Sequence, residues 1–205
     1  MVTEPDGGAV FRAAGGRRVL TQLQRHGLLL KQDKLLPSVV GLVTGQALTG
    51  SWWSHPQGQE IYGLLRALAE RPDVLETKLL SGKVTFVFAS LWSAWLGLAT
   101  SAESWQCTGL SSAAQTLLAD VNGAVEREAT GVVAKELEQR LLVRTEQRHT
   151  ASGKHVLVLE SWEKWGKRQG LHALPVPESK ALLERAAQSL GAPVNALPWH
   201  ARGTG

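Results

Sequence analysis

Apolar positions recur along the chain at helical spacing, interrupted by two pairs of short β-prone runs, each pair built around Ser-Gly. From Arg17 to His26 the string RRVLTQLQRH puts Val19, Leu20 and Leu23 on one side, which predicts an amphipathic helix stopped by Gly27. Leu28 to Lys34 turns from apolar to charged, and PSVVGLVTG, opened by Pro37 with Gly45 beyond its end, predicts a short helix. GSWWSHPQGQEIYGLLRALAERPD predicts a turn and then a helix with the stripe Ile61, Leu64, Leu65 and Leu68. Ser54 is its expected cap, Pro56 falls in its first turn, and Pro72-Asp73 stop it. In VLETKLLSGKVTFVFASLW two apolar runs flank Ser81-Gly82, the pattern of a hairpin, and a helix with Trp92 and Trp95 follows.

The pattern then returns. SSAAQTLLADVNGAVEREA reads as one or two helices broken near Asn122-Gly123, and VVAKELEQRLLV carries Val133, Leu137 and Leu141 on one helical side. RTEQRHTASGKHVLVLESWEKW predicts a second hairpin around Ser152-Gly153. Ser81-Gly82-Lys83 answers Ser152-Gly153-Lys154, Phe86-Val87-Phe88 answers Leu157-Val158-Leu159, and Ser90 answers Ser161. Trp92 and Trp95 answer Trp162 and Trp165 with a slip of one residue, so the order points to a duplication. A last helix is expected from Pro177 to Leu190, with Trp199 in the Pro-rich end packing back. The expected organisation is a flexible tail 1–16, a first unit 17–105, a second unit 106–170, and a C-terminal helix with a Pro-rich tail 171–205. The fold class is mainly α with two β-hairpins, an α+β chain.

A helical bundle whose last helix feeds a hairpin resembles the winged helix-turn-helix family, here in tandem. In that family the helix before the hairpin enters the DNA major groove and the hairpin, the wing, touches backbone or minor groove. The resemblance implies recognition helices at Pro56–Ala69 and Val132–Leu142, with wings at Lys78–Phe88 and Arg144–Leu159.

Charge separates the two copies. The first hairpin is apolar apart from Glu76, Lys78 and Lys83, which suits packing. The second carries Arg144, Arg148, His149, Lys154 and His155 around its tip, with Arg140 before it and Lys164, Lys167 and Arg168 after it. Cations gathered on a protruding hairpin are what phosphate contact needs. Glu136, Glu138 and Glu146 oppose that reading, and a solvated surface hairpin is the plain alternative. Gln139 and Arg140 are the side chains there suited to base edges. Arg17, Arg18 and Arg25, beside His26, form a secondary basic patch. The net charge of +4 and pI near 9.5 lean the same way.

Composition narrows the chemistry. A 43% hydrophobic, 20% charged chain is that of a globular protein. Cys107 is the one cysteine, so an internal disulfide and a cysteine zinc site are both excluded. The run Met1 to Gly16 lacks an apolar core of signal length, and no stretch is apolar enough for a span, so a cytoplasmic protein without membrane contact is expected. The histidines show no helical i, i+4 pair, His149 and His155 lack a carboxylate partner, and GGRR and TGQALTG lack the Lys-Ser/Thr of a phosphate loop. No metal, cofactor or catalytic residue is expected. Two enzymatic patterns stand against this. His55 and Glu60 in TGSWWSHPQG could form an acid–base pair, although the same segment suits an apolar plug. Gln22-Leu23-Gln24 has the Gln-apolar-Gln form of a tandem winged-helix DNA glycosylase family. The expected function is DNA binding to duplex through the second wing; the alternatives are a homodimerisation or protein-interaction module and, third, a DNA repair glycosylase-like enzyme. The eight Trp are expected as core or interdomain anchors, with base stacking as the alternative for an exposed one.

Overall fold

Val19 and Leu23 of the first helix are buried and Leu20 is half-buried beside them in a computed structural model, which describes residues 10–123, 126–149 and 155–200. Helix α1, Ala14–His26, buries Val19 and Leu23, and Gly27 ends it at a φ of 73°, a backbone state that favours glycine. Strand β1, Leu28–Leu30, follows at once with all three leucines buried. Helix α2, Val39–Thr44, starts where the Ser38 hydroxyl accepts from the Gly41 amide, and α3, Gly58–Ala69, buries Ile61, Leu64, Leu65 and Leu68. Strands β2, Val74–Lys78, and β3, Val84–Phe88, form the expected hairpin, with Ser81 and Gly82 both at positive φ in the reversal. β1 pairs with the other side of β3, so the antiparallel order is β1-β3-β2.

Helix α4, Trp92–Ala99, leads into α5, Ser104–Cys107, and α6, Ser112–Gly123. Strand β4, Arg127–Glu128, helix α7, Gly131–Gln139, and strands β5, Arg144–His149, and β6, His155–Glu160, build a second antiparallel sheet of order β4-β6-β5. Its register copies the first. Val87 lies between Leu28 and Leu75, and Val158, its counterpart, lies between Glu128 and Glu146. The connections 79–83 and 150–154 correspond, although 150–154 lies outside the described residues. Helices α8, Trp162–Arg168, and α9, Val176–Ser189, complete an α+β fold.

Two cores result. The larger joins α1 to α4 and the first sheet with Leu141, Trp162 and Trp165 and with Leu183 of α9. The smaller holds Ala114, Val121, Ala134, Leu137, Leu142, Val143 and Leu159. The matching tryptophan pairs meet each other. Trp92 contacts Trp165 edge-on at 5.2 Å between ring centres, and Trp95 contacts Trp162 at 5.4 Å. All four rings are buried, so these pairs are the anchors anticipated for them.

Several local expectations shift. Residues 10–13 precede α1 as part of the body, with Phe11 buried and the Arg71 guanidinium over its ring at 5.1 Å, while 1–9 lie outside the described residues. Strands β1 and β4 were not foreseen, because Leu28–Leu30 has no alternation and Arg127–Glu128 is polar and short. Helix α3 begins at Gly58: the His55 amide donates to the Trp52 carbonyl and the Gly58 amide to the His55 carbonyl, so Ser54 and Pro56 sit in a turn. Helix α7 stops at Gln139, because Leu141 adopts a φ of 55° to reach the larger core. Among the described residues no helix is long and apolar enough to cross a membrane.

Candidate nucleic-acid interface

Alternation along β5 puts Arg144, Glu146 and Arg148 on one side of the strand, where they join a chain of ion pairs. The Arg148 guanidinium holds both oxygens of Glu126, at 2.6 and 2.7 Å, and reaches Glu146 at 3.1 Å. Arg144 bridges Glu146 at 2.8 Å and Glu160 at 3.2 Å. Arg168, from α8, grips both oxygens of Glu160, one of them at 2.8 Å. Hydrogen bonds from Arg148 hold the Glu126 carboxyl below its usual range, and the same bonds raise the Arg148 pKa. Three guanidinium groups on the second hairpin and its following helix are therefore matched by three carboxylates. Phosphate would have to displace those carboxylates to bind there.

Arg140 caps the end of α7 and donates to the carbonyls of Gln106 (3.2 Å) and Thr108 (2.7 Å), which ties the smaller core to the segment after α5. Lys164 and Lys167 on α8 have no carboxylate partner among the described residues, and Lys167 is exposed. His149 closes β5, but its side chain, like Lys154 and the turn at Ser152-Gly153, lies outside the described residues. Helix α7 is partly covered by the first hairpin. Its Glu138 pairs with Lys78 of β2 and accepts from Thr145 at 2.8 Å, so this side packs on the first hairpin.

The first unit presents a different surface. Gln59, Tyr62 and Arg66 lie along the exposed side of α3, and Arg66 pairs with Glu70 one turn on. At its start Trp53 is 64% exposed and stacks on buried Trp52 at 4.1 Å, while Tyr62 is 47% exposed and 5.6 Å from Trp53. The start of α1 crosses here, since a Cβ added to Gly15 would come within 2.6 Å of Glu60. Arg12, Arg17 and Arg18 are exposed on either side of Gly15; Arg17 donates to the Arg12 carbonyl, and Arg18 has no carboxylate partner among the described residues. Arg25 is exposed at the far end of the same helix.

The other candidates are occupied. His55 Nδ1 accepts from the Gln57 amide and Glu60 accepts from the Gln57 side chain, with no bond joining His55 to Glu60. Gln22 Oε1 sits 2.9 Å from His26 Nε2, Leu23 is buried, and Gln24 points outward. Lys83, on the first hairpin, closes onto buried Asp33 at 2.6 Å beside a shallow cavity of about 450 Å³. Among the described residues no three metal-ligating side chains converge. Sequence reasoning missed Glu126 and Glu160 as partners of Arg144, Arg148 and Arg168, and it missed Trp53 with Tyr62 as an open aromatic pair. The Arg-x-Glu-x-Arg spacing of β5 signals the pairing with Glu146 alone; Glu126 and Glu160 lie on other elements and leave no local signal. No protein-family model, no curated protein and no solved structure matches the chain.

Proposed function

We propose that this chain is a duplex DNA-binding protein built from two winged-helix-like units, and that the first unit makes the main contact. The observation carrying this reading is the run α1–β1–α2–α3–β2–β3 with strand order β1-β3-β2, in which the helix before the hairpin keeps an open polar side. By analogy with winged helices, α3 would lie in the major groove with Gln59 toward base edges. Arg12, Arg17 and Arg18 would meet phosphates beside its start. The second unit would contribute through Lys164 and Lys167 rather than through Arg144, Arg148 and Arg168, whose charge is already neutralised.

Fluorescence anisotropy on a labelled duplex across a salt series tests this. The expected result is binding that weakens steeply with salt. The pair Arg17→Glu and Arg18→Glu should weaken it at least about tenfold and flatten the salt slope by roughly two. Absence of binding at micromolar protein in low salt, or affinity indifferent to salt, would overturn the proposal.

A further inference from the structure

Trp53 is held rigidly in an exposed position. Its ring lies against Trp52 at 4.1 Å and 24°, and Trp52, only 5% exposed, belongs to the larger core. The turn beneath it is locked by His55 donating to the Trp52 carbonyl at 3.1 Å and Gly58 donating to the His55 carbonyl at 2.8 Å. Gly58 permits this closeness, since a Cβ there would come within 3.0 Å of the Trp53 carbonyl and 3.3 Å of that of Trp52. Tyr62, on the second turn of α3, stands 5.6 Å from Trp53 with the two ring planes inclined at 41°. The result is an open step of two aromatic rings at the foot of the proposed reading helix.

We infer that Trp53 and Tyr62 form a stacking site for an unpaired nucleobase, so that the preferred ligand is duplex DNA carrying a bulged or extruded base. The inference rests on the DNA-binding reading and names its substrate. A preformed ring with an exposed face accepts any base by π-stacking, without reading its edges. Anchoring by Trp52 means that little ordering is needed when the base arrives. Charge of the right sign is present in the same unit: Gly15 of α1 meets Glu60 at the start of α3, Arg12, Arg17 and Arg18 are exposed on the chain around Gly15, and Gln59 offers an amide on the exposed side of α3. Glu60 is exposed there too, with one oxygen accepting from the Gln57 side chain and the other facing Gly15, so three cations stand against one carboxylate. An apolar protein ligand would leave those cations without a counterpart, which favours the nucleic acid.

The test compares three labelled probes by anisotropy: a perfect duplex of about two helical turns, the same duplex with a one-nucleotide bulge, and its single strand. The full chain and its Trp53→Ala, Trp53→Phe and Tyr62→Ala variants are measured, with thermal melts to confirm folding. The bulged duplex should bind roughly tenfold tighter than the perfect one. Trp53→Ala should abolish that preference while leaving perfect-duplex affinity within about twofold, and Trp53→Phe should keep part of it. Equal affinity for the two duplexes overturns the stacking site and leaves the DNA-binding reading intact. A preference that survives Trp53→Ala also overturns it, as does tighter binding of the single strand than of the bulged duplex. Loss of a dimer by light scattering in Trp53→Ala, with the probe preference unchanged, assigns the rings to a protein contact. No binding of any probe overturns both readings.

Discussion

Glu160 is 2% exposed, and its carboxylate takes hydrogen bonds from Arg144 on the neighbouring strand and Arg168 on the following helix. A buried carboxylate is tolerated when cations satisfy it, and removing one partner strands the others. Glu160→Gln should therefore destabilise the fold by about 3 kcal/mol in urea denaturation. Glu126→Gln breaks a pair whose side chains are 32% and 39% exposed, so the same measurement should register a loss below about 1 kcal/mol. Gly97 is constrained by space. A Cβ there would come within 2.1 Å of the Leu174 carbonyl and 2.4 Å of the Ser179 hydroxyl, where the segment before α9 and α9 itself cross α4. Gly97→Ala should cost roughly 1–3 kcal/mol by forcing these elements apart, and the midpoint of chemical unfolding measures it.

Helices α4 and α8 are each short, and neither buries its tryptophans alone. They do so against each other, with Trp92 on Trp165, Trp95 on Trp162, and Leu96 filling the space left by Gly166. Edge-on contact between rings adds to the burial of large apolar area. Trp162→Ala should lower stability by about 3–5 kcal/mol, whereas Trp53→Ala, at an exposed ring, should change it by less than about 0.5 kcal/mol. A pair of urea curves separates the two. Similar losses at both positions would mean that Trp53 is structural.

Across the whole molecule, several carboxylates are held below their usual range by hydrogen bonds. The Arg148 side chain lowers the Glu126 pKa, the Ser111 hydroxyl and amide lower that of Glu136, and the Trp199 indole N–H with His200 lowers that of Glu184. A carboxyl with a folded pKa below its unfolded value of 4.5 supports the fold above that pH. Its contribution is lost as pH falls through the folded pKa. His26 acts in the same direction. Burial, and then Arg25, pull its pKa below 6.5, so the unfolded chain takes the proton first and stability begins to decline below that pH. Thermal melts from neutral pH downward should show a shallow fall in Tm below 6.5 and a steeper one below 4.5. A Tm that rises on acidification would contradict this.

Local information was enough for the longer helices and the two hairpins, though not for the one-turn helix Ser104–Cys107 or for the ends of α3 and α7. Val19 with Leu23, the stripe of α3, and the apolar runs around Ser81-Gly82 each carry their period within a few residues, and the repeated order of elements followed from them. Strands β1 and β4 escaped because a strand of two or three residues has too little alternation to register, and each exists only by pairing with a distant β3 or β6. The candidate site was legible as residue types alone. The arginines of β5 were visible as cations, but whether they face phosphate or Glu126 and Glu160 depends on which strand and helix come alongside. Turn, helix and apolar-face preferences are readable from residue order, since they act over one or two turns of backbone. The locking of the two tryptophan pairs, the matching of the second hairpin's guanidinium groups and the exposure of Trp53 emerge with long-range packing. Each of these is a contact, or a missing one, between residues that chain connectivity leaves far apart.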